Sequence, residues 1–488
     1  MKTSSVLILL FVFLSINLLS QTATWEKTFG YHAADERLFA LKTDADGNIM
    51  FTGLLDTVIF NPGGIERKAI TILMDPDGNT KWMRSVGGDF HAGAVSKSIA
   101  LPDDNTGMVI TGNYIRTNSF WGPYYTSLLL RKYNLTGDVL WHKIYYDADH
   151  RYSGESISKT EDGGFMISGI CDTCLYLMKT DDYGDSLWTK TYCNFKVNYP
   201  DFTGPASKII QTSDQGYILC HTSLDLPGER MHIIKFNESG DTVWTRTINN
   251  DDYSYGSSII KTSDGNYLAC GSQGMSDNGT NDAMIVKIDP GGEVIWEREY
   301  DRFGFNDGFS SINETAPDEY VAAGYAYDEP SGGNRIFAYV VKINATGDTL
   351  WTRVDNPGVG NISETIQDLD VSPEPGIVLG GNMDNTFFLA KLDEYGIGFT
   401  GMENQEIQTD RNIQILVHNN EITIENRAPA NGPMLTVLIF NTLGQLVFSG
   451  TANADGVTFV NIGQLQPGIY IIKVSDANNC RKVKFSKG

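Results

Sequence analysis

The 488-residue chain holds 60 acidic against 37 basic residues, a net charge of −23, and 41% of it is hydrophobic. Such acidity disfavours nucleic acid and anionic membrane surfaces as partners. Six cysteines over this length are too few for a disulfide scaffold.

The chain opens on a segment suited to export. Lys2 supplies a short positive region, Val6 to Leu19 is almost wholly apolar, and Ser20 precedes the polar Gln21 and Thr22. The apolar run is too short to span a bilayer comfortably and no stop-transfer pattern follows, so residues 1–20 read as a cleaved signal peptide. No cysteine stands near the expected cut, which argues against a lipoprotein. No later run approaches transmembrane length, so no transmembrane segment is expected after cleavage.

From residue 24 a repeat takes over. A tryptophan follows a glycine by four residues, with Asp or Asn three residues ahead of the glycine. The copies are Asp75-Gly78-Trp82, Asn134-Gly137-Trp141, Asp181-Gly184-Trp188, Asn237-Gly240-Trp244, Asp289-Gly292-Trp296 and Asn344-Gly347-Trp351. A seventh, Asp393-Gly396, has Thr400 in the tryptophan's place, and Trp25 stands alone near the start. A period of about 50 residues marks a propeller or a solenoid.

Each copy divides into short alternating apolar runs between Asp, Asn and Gly clusters, the pattern of strands joined by tight turns. In the third copy Ser156 to Lys159, Phe165 to Gly169, Leu175 to Lys179 and Ser186 to Tyr192 give strands a, b, c and d. No 3.6-residue apolar period is sustained anywhere, so the fold class is all-β. Seven such units over residues 24–400 make a seven-bladed β-propeller. The seventh lacks its tryptophan-bearing strand d, and Trp25 to Phe29 is a spare one. The N-terminal strand is therefore expected to close the last blade and remove two bare sheet edges.

The Gly-x3-Trp spacing resembles the repeats of PQQ-like and WD-like propellers, in which the tryptophan docks one blade on the next. Quinone-dependent dehydrogenases of that kind also carry adjacent cysteines, and this chain has no adjacent pair. Sialidase-type Asp boxes place the aromatic residue three after the glycine, where every copy here has four.

Cys171 and Cys174 flank Asp172-Thr173 between strands b and c, placed to close a disulfide across a hairpin. A redox Cys-x-x-Cys normally opens a helix, and zinc would need two more ligands, with only Cys193 close in sequence. Cys220 and Cys270 share a repeat column with Thr52, Thr111, Ser168, Ala323 and Gly380, so packing demands a small side chain there.

Strand d lies outermost in each blade, and the loop after it must cross the top to reach the next central strand. These loops are rich in aromatic and acidic residues, and His91, His150, Tyr152, Asp201, Tyr253 and Phe303 are the candidate ligand-binding residues. Aromatic faces beside hydrogen-bonding groups suit a sugar ring, and paired carboxylates suit acid–base hydrolysis. Asp44-Ala45-Asp46-Gly47-Asn48 and Asp75-Pro76-Asp77-Gly78-Asn79 look like calcium loops. Their glycine falls at position four instead of six, and Leu55 and Val86 stand where a bidentate glutamate is needed, so they read as hairpin turns. No nucleophile elbow, phosphate loop, zinc-protease motif or Cys/His constellation is present. No catalytic residue, metal ligand or cofactor is assigned, and no enzymatic activity is expected.

Residues 401–411 form a polar linker. Seven short strands follow within 412–488, which reads as a small Ig-like β-sandwich. Val437 to Val447, with its Phe440-Asn441-Thr442-Leu443-Gly444 core, is similar to the middle of the type A C-terminal sorting domain of the type IX secretion system of Bacteroidota. So are Leu465 to Val474, with Pro467-Gly468-Ile469-Tyr470, and the basic final strand Arg481 to Phe485. That family usually opens on an Asn-Pro pair, where this chain has His418-Asn419-Asn420. The resemblance implies the type IX machinery as a partner, and a secreted or outer-membrane surface-attached product that passes through the periplasm. The expected function is an exported glycan- or protein-binding module. A carbohydrate-active lyase or hydrolase on the same loops, and a ligand-free structural scaffold, stand as alternatives.

Overall fold

The structure is a computed structural model that describes residues 24–29, 35–59, 64–87, 92–102, 106–117, 124–196, 207–225, 228–248, 253–274, 280–328, 335–355, 363–373, 376–393, 413–418, 421–426, 435–441, 446–452, 456–465, 468–475 and 480–487. Every regular element among them is a strand, and no helix is long and apolar enough to cross a membrane. The chain divides into two compact units, 1–399 and 400–488.

The first unit consists of seven four-stranded antiparallel sheets, the blades of a propeller. Six take their strands in chain order, over 35–87, 92–145, 152–196, 207–248, 253–300 and 307–355. The seventh joins Glu364–Val371, Gly376–Met383 and Thr386–Asp393 to Trp25–Phe29, whose Trp25 lies opposite Lys391. First strands of successive sheets pack beside one another, and Asp35–Thr43 lies against Glu364–Val371. There the Leu41 N–H donates to Asp368 Oδ2 at 3.0 Å and the Thr43 N–H to Asp370 Oδ2 at 2.8 Å.

The repeat signature has a direct physical cause. Each signature glycine sits in the turn between strands c and d with a left-handed φ of 74–88°, which favours glycine. The tryptophan of the preceding blade covers that turn. A β-carbon on Gly78, Gly137, Gly184, Gly240 or Gly292 would fall 2.7–2.9 Å from the rings of Trp25, Trp82, Trp141, Trp188 and Trp244 respectively. Four of the indoles donate to a carbonyl of the covered turn: Trp25 to Pro76, Trp82 to Leu135, Trp244 to Pro290 and Trp296 to Ala345, at 2.9–3.2 Å. Turn and tryptophan thus recur together because they meet in six interfaces among the described residues.

The core lies between the blades. Leu268 and Ile285 of the fifth pack with Phe309 and Tyr339 of the sixth, and the other interfaces repeat the arrangement. Each such side chain fully buried contributes about 1.5–3 kcal/mol. The lysine near the end of strand c is nearly buried and anchored to the turn between strands a and b, as in Lys179–Asp162, Lys235–Asp214 and Lys287–Asp264. The calcium-like loops spend their carboxylates on themselves. Asp44 Oδ1 accepts the N–H groups of Asp46 and Asn48, and Asp75 Oδ1 those of Asp77 and Asn79. Cys220 and Cys270 are fully buried in the tight column.

The strands outrun their expected limits. Strand a of the third blade is Tyr152–Lys159, four residues longer at its start than the alternation indicates, and strand d is Ser186–Lys196. A β-bulge is the reason. It falls at Phe39, Lys97, Glu155, Ser257, Ser310 and Gln367 in six of the seven first strands, and breaks the two-residue period.

The second unit has two sheets, one of three strands (Ile413–His418, Glu421–Asn426 and Gly456–Asn461) and one of four (Leu446–Ala452, Leu435–Asn441, Gly468–Ser475 and Cys480–Lys487). Ile422, Ile424 and Val460 of the first pack with Val437, Ile439, Ile472 and Val474 of the second in one core.

Candidate functional site

Antiparallel pairing puts the loops that follow strand d on the same side of each blade as the turns between strands b and c. Of the six candidate residues, His91 and Asp201 lie outside the described residues. The other four fall in three places.

His150 and Tyr152 come together at the corner of the third blade. Asp147, in the loop ahead of Tyr152–Lys159, organises that loop. Its Oδ1 accepts the Asp149 and His150 N–H groups at 2.7 and 2.8 Å, and its Oδ2 accepts the Tyr152 hydroxyl at 3.1 Å. These backbone donors hold its carboxyl below the usual range. Across the corner Asp172, left-handed at φ 53°, turns the chain from strand b into strand c. Its Oδ1 accepts the Arg151 N–H at 3.0 Å, and its Oδ2 lies 2.7 Å from His150 Nδ1. Burial pushes the Asp172 carboxyl up, but the Arg151 N–H and the imidazole outweigh it and hold it below the ordinary value. The Asp172 hydrogen bond raises the pKa of His150. The Tyr152 ring packs edge-on to Tyr176 at 5.2 Å, and burial pushes its phenol up.

One expectation about this corner is corrected. The disulfide joins Cys174 to Cys193, not to Cys171. Cys171 and Cys174 are a direct cross-strand pair at the hairpin end, but the Cys174 sulfur is taken by the strand on its other side. On the other side, a bulge in strand d between the partners of Cys174 and Leu175 brings the Cys193 Cα to 4.5 Å from that of Cys174. Cys171 therefore keeps a free thiol, 7% exposed, which burial pushes up in pKa.

Tyr253 heads strand a of the fifth blade, 40% exposed, with its ring over Gly228 of the fourth. Phe303 lies in the next such loop, 38% exposed, against Phe337 at 5.8 Å and under the Arg302 guanidinium at 5.0 Å. Beside it Asp307 is fully buried, with Oδ2 accepting the Arg302 N–H at 2.6 Å and Oδ1 without a partner. Burial pushes its carboxyl up to about 7, opposed by that N–H and reinforced by Asp301 and Asp282.

Sequence reasoning missed Tyr146, the most exposed aromatic among the described residues of these loops at 65%, which lies under the Arg116 guanidinium at 4.6 Å. It also missed what lines the channel. The six bulged residues all line a central cavity of about 590 Å³. Lys97 and Glu155, on neighbouring blades, form an ion pair at 2.8 Å with both side chains 1% exposed. Lys208 also lines the cavity; burial lowers its pKa, Asp368 opposes that, and Lys42 adds to it. A charged residue among alternating apolar ones signals none of this until a bulge turns it inward.

Residues 418–486 match the secretion system C-terminal sorting domain family, so the chain carries a sorting domain of the type IX system. That domain points to secretion or display at the cell surface. A comparison with curated proteins finds no match. Among solved structures, the propeller is similar to the beta-propeller domain of the Trilobed protease from Pyrococcus furiosus, at 11% identity and a TM-score of 0.41, over 74% of this chain and 94% of that one. PorZ, a surface component of the type IX secretion system of Porphyromonas gingivalis, is similar at 9% identity and a TM-score of 0.29, over 92% and 81%. A prolyl endopeptidase is similar at 10% and 0.39, and this chain covers 47% of its length. At these identities the likeness concerns fold alone.

Proposed function

We propose that this chain is an exported carbohydrate-binding propeller, carried to the cell surface or the medium by its C-terminal domain. One observation carries the reading. Tyr146, Tyr253 and Phe303 are exposed on the same side of three blades, and two of them have an arginine at the ring. An exposed ring can stack on the apolar face of a sugar, while adjacent donors and carboxylates take its hydroxyls. His150 and Tyr152 belong to the same side, with their polar groups already committed to Asp172 and Asp147.

No reaction is assigned: among the described residues, the one carboxyl raised to about 7 is shut away from solvent. We also infer that Trp25–Phe29 closes the propeller. Its pairing with Thr386–Asp393, the Trp25–Pro76 hydrogen bond and the Arg353–Glu26 ion pair at 2.5 Å support this.

Two experiments test the reading. The full chain is screened on a glycan array beside Tyr146→Ala, Tyr253→Ala and Phe303→Ala. Specific binding weakened at least tenfold by two of the three supports it, and binding indifferent to all three removes it. Removal of residues 418–486 is expected to leave the propeller in the periplasm; unimpaired appearance outside the cell would refute the sorting role.

A further inference from the structure

We propose that the corner of the third blade is a zinc-type metal site, with His150, Cys171 and Asp172 as its protein ligands. One ligand atom from each, an imidazole nitrogen, the thiol sulfur and a carboxylate oxygen, all lie within 4.8 Å of one another. Their spacing in sequence does not show this, because His150 and Cys171 are brought together by the pairing of strands a and b, which sets Tyr152 opposite Cys171. Two features go beyond proximity. The disulfide with Cys193 occupies Cys174, so Cys171 remains a thiol although its cross-strand neighbour is a cysteine. The supporting groups are also in place. Asp172 Oδ1 is held by the Arg151 N–H, which leaves Oδ2 directed at the imidazole, and Asp147 fixes both the His150 backbone and the Tyr152 hydroxyl. Outer partners of this kind orient metal ligands.

Thiolate, imidazole and carboxylate together suit a tetrahedral divalent ion of borderline softness, and three protein ligands leave one position for water. The proton balance is simple. The 2.7 Å contact between His150 Nδ1 and Asp172 Oδ2 now holds one shared proton. An ion entering there displaces that proton, to Nε2 of a neutral imidazole or to solvent from an imidazolium, and the Cys171 S–H gives up its own to solvent as the metal–sulfur bond forms. A dication with one thiolate and one carboxylate is then neutral. Two ligand atoms about 2.0–2.1 Å from a tetrahedral ion stand about 3.3 Å apart, so the imidazole must swing out by about half an ångström. His150 is half exposed and has the room.

The test uses the full chain, freed of metal with a chelator and with its disulfide intact. Titrated with Co²⁺ as the probe, it is expected to take up one equivalent with a thiolate-to-cobalt charge-transfer band in the near ultraviolet, which one equivalent of Zn²⁺ then abolishes. Cys171→Ser should lose the band, and His150→Ala should weaken Zn²⁺ binding at least tenfold. His150 is exposed, so its variant keeps the fold, checked by tryptophan fluorescence. The absence of a band in the unaltered chain, or its survival in Cys171→Ser, would overturn the proposal.

Discussion

Asp307→Asn is the substitution that separates electrostatics from packing in the sixth blade. The native carboxyl is fully buried, and its pKa is raised from 3.8 to about 7. In the unfolded chain it returns to the ordinary value, so between about pH 4 and 7 the folded state binds the extra proton. Stability from this group is therefore fully present below the unfolded pKa and falls as pH rises to about 7, above which nothing further is lost. At about 1.4 kcal/mol per pH unit, the window is worth about 4 kcal/mol. Asparagine has nearly the same shape, keeps an acceptor for the Arg302 N–H, and does not titrate. It leaves a donor where Oδ1 has no partner, a constant cost of about 1–3 kcal/mol. The assay is urea unfolding of both proteins from pH 4 to 8, followed by tryptophan fluorescence. All eight tryptophans lie between Trp25 and Trp351, so the signal reports the propeller. The variant should gain about 3–4 kcal/mol on the native chain across that range, starting below it. A difference independent of pH would refute the reasoning.

Gly240→Ala should cost about 2–4 kcal/mol, because a β-carbon there meets the Trp188 ring at 2.7 Å as well as the left-handed φ of 83°. Gly163→Ala shares the conformation, at φ 86°, with nothing within 4 Å, and should cost only about 1 kcal/mol; equal losses in urea titrations would contradict the interlock. Glu155→Gln strands the Lys97 ammonium in the channel wall and should cost about 3–5 kcal/mol, while adding Lys97→Met should restore most of it, read as a shift in the urea midpoint. For the disulfide, non-reducing peptide mapping should find Cys193 linked to the peptide holding Cys174. Cys171→Ser is expected to leave that link intact and Cys174→Ser to abolish it; an unlinked Cys193 in the unaltered chain, or loss of the link in Cys171→Ser, would refute the assignment.

The blades were legible because their signature is a contact. Gly137 must accommodate Trp82 and Gly240 must accommodate Trp188, so the same two residue types return in each copy. The seven short strands of the second unit were legible for another reason: each is a short run with alternating apolar residues, set between turn residues. Bulges were not legible. The extra residue at Glu155 hid the first half of its strand, and the bulge near Cys193 hid the true partner of Cys174. The candidate site was read in part. Loop position alone indicated His150, Tyr152, Tyr253 and Phe303, but Asp147 and Asp172, which hold two of them, were invisible. Their roles depend on a turn and a hairpin meeting across some twenty residues of chain.

The pairing of Trp25–Phe29 with Thr386–Asp393 has a bearing on biosynthesis. The strand made first has its partner made last within the propeller, so no nascent chain can complete the seventh sheet until nearly 400 residues exist. Six blades can assemble in the order they are made, each offering its tryptophan to the one that follows. The seventh must wait, and its final step closes a loop of almost the whole unit, with a correspondingly large entropic cost. A chain cut short anywhere before Lys391 would leave Trp25 without its register partner, and a seventh sheet short of a strand would mark it as unfinished.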